Sequence, residues 1–234
     1  MSAKTDLSFH SGHRERLKEK FLADKLVDYE LLELLLSFAI PRRDVRPLAR
    51  MLASRFGGVY YVFTADIKDL MAVPGVGRSA AILIKLVHRL MSINHMKAMQ
   101  ENSVFLNGNK SVIDFCRLKL AGLEHEEVHV LYLNSDFCVI EHEVHSHGSI
   151  ESSNIHVEQI LKRALSDGIR SVILMHNHPS TDNTFSQDDV VMTTELEILL
   201  NKCGITLYDH FVVAGGIVHS MRAKNLLNRS NFSN

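Results

Sequence analysis

Two histidines two positions apart, in His176-Asn177-His178-Pro179, are followed 11 residues after the second by Asp189. Two imidazoles and a carboxylate form a ligand set for catalytic zinc, in which three protein groups hold the ion and a fourth position stays open for water. Such a water has a pKa of about 7 and is a nucleophile at neutral pH. Cysteine takes no part in this scheme: Cys116, Cys138 and Cys203 are odd in number, far apart and in no CxxC pattern. That argues against both a disulfide framework and a cysteine-based zinc site. Ser186-Gln187-Asp188-Asp189 also fits a capping box, with the serine and the acid three residues on serving each other's backbone N–H groups.

The elements that must position these groups follow from periodicity. VHVLYLN and FCVIEHEVH run apolar or alternate at strand length around the turn Asn134-Ser135-Asp136, which predicts a hairpin. VEQILKRALSDG is an amphipathic helix ending on Gly168. RSVILM is a short buried strand that delivers the two histidines at its C-terminal end, where α/β folds build sites. A helix, DVVMTTELEILLNKCG, and two strands, ITLYDHFVVAG and IVHSM, complete the order β-β-α-β-α-β-β.

The first hundred residues read instead as helix after helix. DYELLELLLSFAI carries Leu31, Leu32, Leu34, Leu35, Leu36 and Phe38, which predicts a helix buried nearly all round and stopped by Pro41. RDVRPLARMLASRFGG has Val45, Leu48, Met51, Leu52 and Phe56 at helical spacing and a glycine C-cap. A short helix, TADIKDLMAV, leads through Pro74-Gly75-Val76-Gly77 into a long one from about 78 to 99. The expected organisation is an all-helical domain over 1–100, a linker over 101–107 and an α/β domain over 108–234.

With 234 residues, 46% of them hydrophobic, the chain can bury a sizeable core, which excludes disorder. The apolar runs are too short and interrupted to cross a bilayer, and the charged N-terminus has no signal-peptide h-region, so the expectation is cytoplasmic with no membrane partner. The net charge of −1 hides an asymmetry: residues 1–100 carry 16 Lys+Arg against 10 Asp+Glu, and residues 101–234 carry 10 against 17. A basic half suits phosphates and an acidic, histidine-rich half suits a cation. In the basic half, Gly75 and Gly77 let backbone N–H groups approach a phosphate at the next helix's N-terminus, and Arg78 and Lys85 add charge; a plain tight turn between helices is the alternative.

HNHPSTDNTFSQDD matches, position by position, the JAMM motif of the MPN+ metalloproteases. HRERLKEKFL, YELLELLLSFAIPRRDVRPLARML, PGVG, EEVHVLYLN and GITLYDHFVVAGG resemble, in order, segments of the bacterial RadC family. The resemblance implies a helix-hairpin-helix-like N-terminal domain before a cytidine-deaminase-like α/β/α MPN domain. It further implies zinc on His176, His178 and Asp189, with Ser186 bonding the tetrahedral intermediate. The upstream glutamate that such enzymes use to hold and shuttle the water's proton corresponds to Glu127, with Glu126 as rival. Where the family commonly reads HNHPSG and then a proline before the serine, this chain has Thr181 and Phe185; a β-branched Thr181 resists any φ > 0 that glycine allows.

Other histidines have two readings. His142, His145 and His147, with His156, form either a second metal site or surface and supporting residues. Asp209-His210 either orients a ligand histidine or is a polar pair on a strand. The resulting expectation is a zinc hydrolase of peptide or isopeptide bonds, tied by family resemblance to DNA repair and recombination. Its partners are a DNA backbone, an unknown protein or peptide substrate and, through exposed strand edges, a second copy in a homodimer. The alternatives are a DNA-binding accessory factor with a structural or vestigial metal site, and a metal-dependent nuclease, which would need more carboxylates than Asp189.

Overall fold

Helical spacing in the first part of the chain becomes α1 (Thr5–Leu22), α2 (Asp28–Ala39), α3 (Arg46–Phe56), α4 (Val59–Thr64), α5 (Ile67–Met71) and α6 (Arg78–Glu101) in the structure, a computed structural model. It describes residues 5–147, 157–166, 168–179 and 185–227. Contacts divide the chain into two units, Met1–Leu90 and Met91–Asn234.

In the first unit, Leu32 and Leu36 of α2, Ala49 and Leu52 of α3, Val62 of α4, Leu70 of α5 and Ala81 and Ile84 of α6 close one core. The helix α2 is not buried all round as expected: Leu31 is 43% and Phe38 67% exposed, while Glu33 lies in the buried stripe. That stripe is polar at one point because Glu33 accepts from His13 Nε2 at 2.7 Å and faces Arg46 Nε at 3.6 Å. Gly57 ends α3 in the left-handed region at φ 80°, as its sequence predicts.

The second unit holds β1 (Leu106–Asn109), α7 (Lys110–Leu120), β2 (Glu127–Leu133), β3 (Val139–His147), α8 (Val157–Ala164), β4 (Ser171–His178), α9 (Gln187–Lys202), β5 (Thr206–Ala214) and β6 (Ile217–Ser220). The sheet order is β3-β2-β4-β5-β6, mixed, with only β4 and β5 parallel. Strand alternation splits the core in two. Leu131, Leu133, Ile173, Met175, Phe211 and Val213 face α7, and Val128, Val130, Tyr132, Val172, Leu174 and Leu207 face α8 and α9. Helices therefore cover both sheet faces, the expected three layers. The expected order omits β1 and α7, although Val112, Phe115, Cys116 and Leu120 carry a helical stripe. Among the described residues no helix is long and apolar enough to cross a membrane.

Candidate metal centre

The strand β4 ends on His176 and His178, and because they are two apart both leave the same face, the one that α9 covers. Asp189 sits in the first turn of α9. The two Nε2 atoms are 2.9 Å apart, His176 Nε2 is 3.2 Å from Asp189 Oδ1, and His178 Nε2 is 3.3 Å from Asp189 Oδ2. Corners of a zinc tetrahedron with bonds of about 2.05 Å stand about 3.3 Å apart. The three donors fit that spacing and that chemistry, and among the described residues they are the group that could hold a metal ion.

The capping box read at Ser186 is present: Asp189 N–H donates to Ser186 Oγ at 3.0 Å, and Ser186 N–H donates to Asp189 Oδ2 at 2.7 Å. It aims the carboxylate as well as starting the helix. Burial alone would push Asp189 up, but the adjoining His176 and His178 rings and the Ser186 N–H hold its carboxyl well below the usual range. Phe185 packs onto the core under α8 and α9, beneath Lys224 and edge-on to His219. Ser180 and Thr181 lie outside the described residues.

Glu126, rather than Glu127, is brought to this cluster. The antiparallel register pairs Val128 with His176, so two residues further along Glu126 stands opposite His178, and its Oε1 is 3.9 Å from His178 Nε2. Glu126 has the parity of Val128 and Val130 and therefore shares their face; Glu127 has the other parity. The Glu127 carboxylate bonds His125 Nε2 and His129 Nε2, both at 2.9 Å. Glu126 is 7% exposed, and burial pushes its carboxyl above the ordinary range, with His178 opposing and Asp189 reinforcing the shift. Asn177, between His176 and His178, ties down the start of β2. Its Oδ1 accepts from Glu127 N–H and its Nδ2 donates to His125 O, each at 2.9 Å.

Of the pair Asp209-His210, only the histidine reaches His176. His210 is fully buried, its Nε2 lies 2.7 Å from His176 Nδ1, and its Nδ1 lies 2.6 Å from Thr193 Oγ1 on α9. Burial and the neighbouring His176 hold His210 well below its ordinary pKa, so it is neutral. Asp209 faces the other way, accepting from Ser220 Oγ and from the N–H groups of His210 and Arg222.

The further histidines do not converge. His142 Nε2 meets His129 Nδ1 at 3.0 Å, on the α7 face, with its ring edge-on to Phe115. His145 points to the opposite face, with Glu143 and Tyr132. His156 and the side chain of His147 lie outside the described residues.

In the first unit, the turn between α5 and α6 is closed by Val76 N–H on Val73 O at 3.0 Å, and Gly75 adopts φ 97°, which favours glycine. Gly75, Gly77 and Arg78 are exposed. Lys85 is turned elsewhere: its ammonium donates to Phe63, Thr64 and Ala65 carbonyls at 3.3, 3.3 and 2.8 Å, capping α4, and burial lowers its pKa.

The family model "RadC-like JAB domain" matches residues 106–226. The chain belongs to the RadC family. It is 35% identical over 227 residues to a UPF0758 protein of Ruegeria pomeroyi, covering 94% of this chain and 99% of that protein. It is 32% identical over 227 residues to a UPF0758 protein of Fusobacterium nucleatum, covering 93% and 98%. Neither name states an activity. In this RadC-family chain, the matched region contains the whole His176, His178, Asp189 cluster together with Glu126, Asn177, Thr193 and His210. Only the register of β2 against β4 singles out Glu126 over Glu127, and Thr193 carries no sequence signal of its own.

Proposed function

We propose that this chain is a zinc-dependent hydrolase of amide or isopeptide bonds, anchored to a DNA backbone by its N-terminal unit. One observation carries the hydrolase reading. Three candidate ligand atoms have the mutual spacing of zinc ligands, and a fourth group, the buried carboxyl of Glu126, stands 3.9 Å from one of them, beyond that spacing. Zinc, when bound, polarises the substrate carbonyl and brings a water's pKa to about 7. Glu126 takes the attacking water's proton on its carboxylate and returns it to the departing nitrogen, a task that a carboxyl raised by burial suits. Ser186, an acceptor in its capping bond, keeps a hydroxyl proton to donate to the developing oxyanion. Glu127, engaged with His125 and His129, has no part in proton transfer.

The DNA reading rests on the basic excess of residues 1–100 and on the exposed Gly75 and Gly77 flanking the buried Val76, a helix-hairpin-helix-like turn that opens onto the N-terminus of α6 with Arg78 beside it. Lys85, with its ammonium on α4, contributes no phosphate contact. The link to repair or recombination follows from this anchorage and from the family resemblance.

The test is cleavage of a fluorogenic peptide and isopeptide library by zinc-loaded protein. Glu126→Gln should lose about 10²–10⁴-fold in rate with zinc retained, and Glu127→Gln should stay near wild type. A zinc-loaded wild type that cleaves no member while still binding DNA would replace the hydrolase reading with that of an accessory factor.

A further inference from the structure

We infer that Thr193 and His210 form a directional hydrogen-bond relay that fixes the tautomer of His176 and so presents its Nε2 lone pair to the metal. The inference rests on the metal reading above and deepens it.

The direction follows from counting protons. The Thr193 hydroxyl donates to the Asp189 carbonyl, four residues back in α9, at 2.5 Å; a carbonyl can only accept. Its single proton is thereby committed, so toward His210, 2.6 Å away, Thr193 Oγ1 must accept, and His210 Nδ1 carries an N–H. From the other end, a His176 that offers Nε2 to a metal carries its proton on Nδ1, and that N–H faces His210 Nε2 at 2.7 Å. The two ends agree only if His210 is protonated on Nδ1 and accepts on Nε2. The order is then His176 Nδ1–H to His210 Nε2, His210 Nδ1–H to Thr193 Oγ1, and Thr193 Oγ1–H to Asp189 O.

The relay also closes a ring, because Asp189 anchors one end through its backbone carbonyl and supplies its carboxylate at the other, 3.2 Å from His176 Nε2. Elements far apart in sequence are locked in one geometry: β4 with His176, β5 with His210, and α9 with both Thr193 and Asp189. Thr193 is 1% exposed and His210 0%, so bulk water does not replace a lost link. Thr193 and His210 are positioning residues, acting through His176.

The experiment measures zinc affinity by chelator competition, and imidazole ¹⁵N shifts of the zinc-loaded full chain, in wild type, Thr193→Val, Thr193→Ser and His210→Leu. Thr193→Val should weaken zinc about tenfold and His210→Leu about 10–100-fold, Thr193→Ser should restore wild-type affinity, and the wild-type His210 proton should sit on Nδ1. Wild type that binds zinc, with folded Thr193→Val and His210→Leu binding it equally, overturns the relay and leaves the metal reading intact; so does a His210 proton found on Nε2. Wild type that takes up no zinc overturns the metal reading itself.

Discussion

Replacing Asp189, Glu126 and Glu127 in turn separates an open metal centre from a closed one. At free zinc 100-fold above Kd, binding stabilises the fold by about 2.7 kcal/mol. A unit of about 140 residues unfolds with an entropy of about 0.3 kcal/mol per kelvin, so its melting temperature should rise by about 9 °C, or by about 5 °C if all 234 residues unfold together. Asp189→Asn removes one of three ligands; a 10³-fold loss of affinity leaves zinc at about a tenth of Kd, where the shift is below 1 °C. Glu126→Gln should keep nearly the whole shift, because its Oε1, 3.9 Å from His178 Nε2, stands outside the tetrahedron edge of about 3.3 Å. Glu127→Gln, on the other sheet face, should keep it too. Differential scanning fluorimetry, with each variant compared against its own metal-free form, reads all three. An Asp189→Asn that keeps the wild-type shift refutes the ligand assignment. A Glu126→Gln that loses it makes Glu126 a fourth ligand, and a site closed by four protein groups has no place for the water on which the hydrolase reading depends.

Acid should weaken the fold partly through His142, whose pKa is lowered to about 3 by burial first and then by His129 and Lys119. The unfolded chain binds this proton near pH 6.5, so the contribution is complete above that pH and is lost as pH falls from about 6.5 towards 3, by at most about 1.4 kcal/mol per pH unit. His142→Phe, which keeps the contact with Phe115, should flatten the urea midpoint between pH 7 and 4, and parallel wild-type and variant profiles would refute this. Asn177→Ala should cost about 2 kcal/mol in urea denaturation, since it strands Glu127 N–H and His125 O at the start of β2; an unchanged midpoint would mean that water replaces both bonds. Arg78→Ala should weaken DNA binding uniformly across sequences and reduce the slope of log K against log salt by about one, read by fluorescence anisotropy; an unchanged slope removes Arg78 from the phosphate contacts.

The His176, His178 and Asp189 cluster is legible in the sequence because it is local. His176 and His178 share a face by the two-residue period of a strand, and Asp189 lies in the first turn of the next helix, so no distant pairing is needed to bring them together. The choice between Glu126 and Glu127 is a different kind of problem. In β2, Val128, Val130 and Tyr132 face one apolar layer while Leu131 and Leu133 face another, so burial marks both parities alike and does not say which meets the histidines. Only the register of β2 against β4, a pairing 48 residues apart, puts Val128 beside His176 and carries Glu126 to His178. The same holds for His210, delivered by the parallel pairing of β5 with β4, and for Thr193, which reads as an ordinary helix residue until β5 lies under it. Asp209 and His210 are both fully buried, yet strand alternation sends one to Ser220 and Arg222 and the other to His176, so one dipeptide serves two separate polar networks. A fold that buries a carboxyl beside two imidazoles without a metal would be left with polar groups in strained competition for few protons. Here the capping box engages Asp189 Oδ2 and His210 meets His176 Nδ1, so the two Nε2 atoms and the Asp189 carboxylate face one another, an arrangement that a cation would complete.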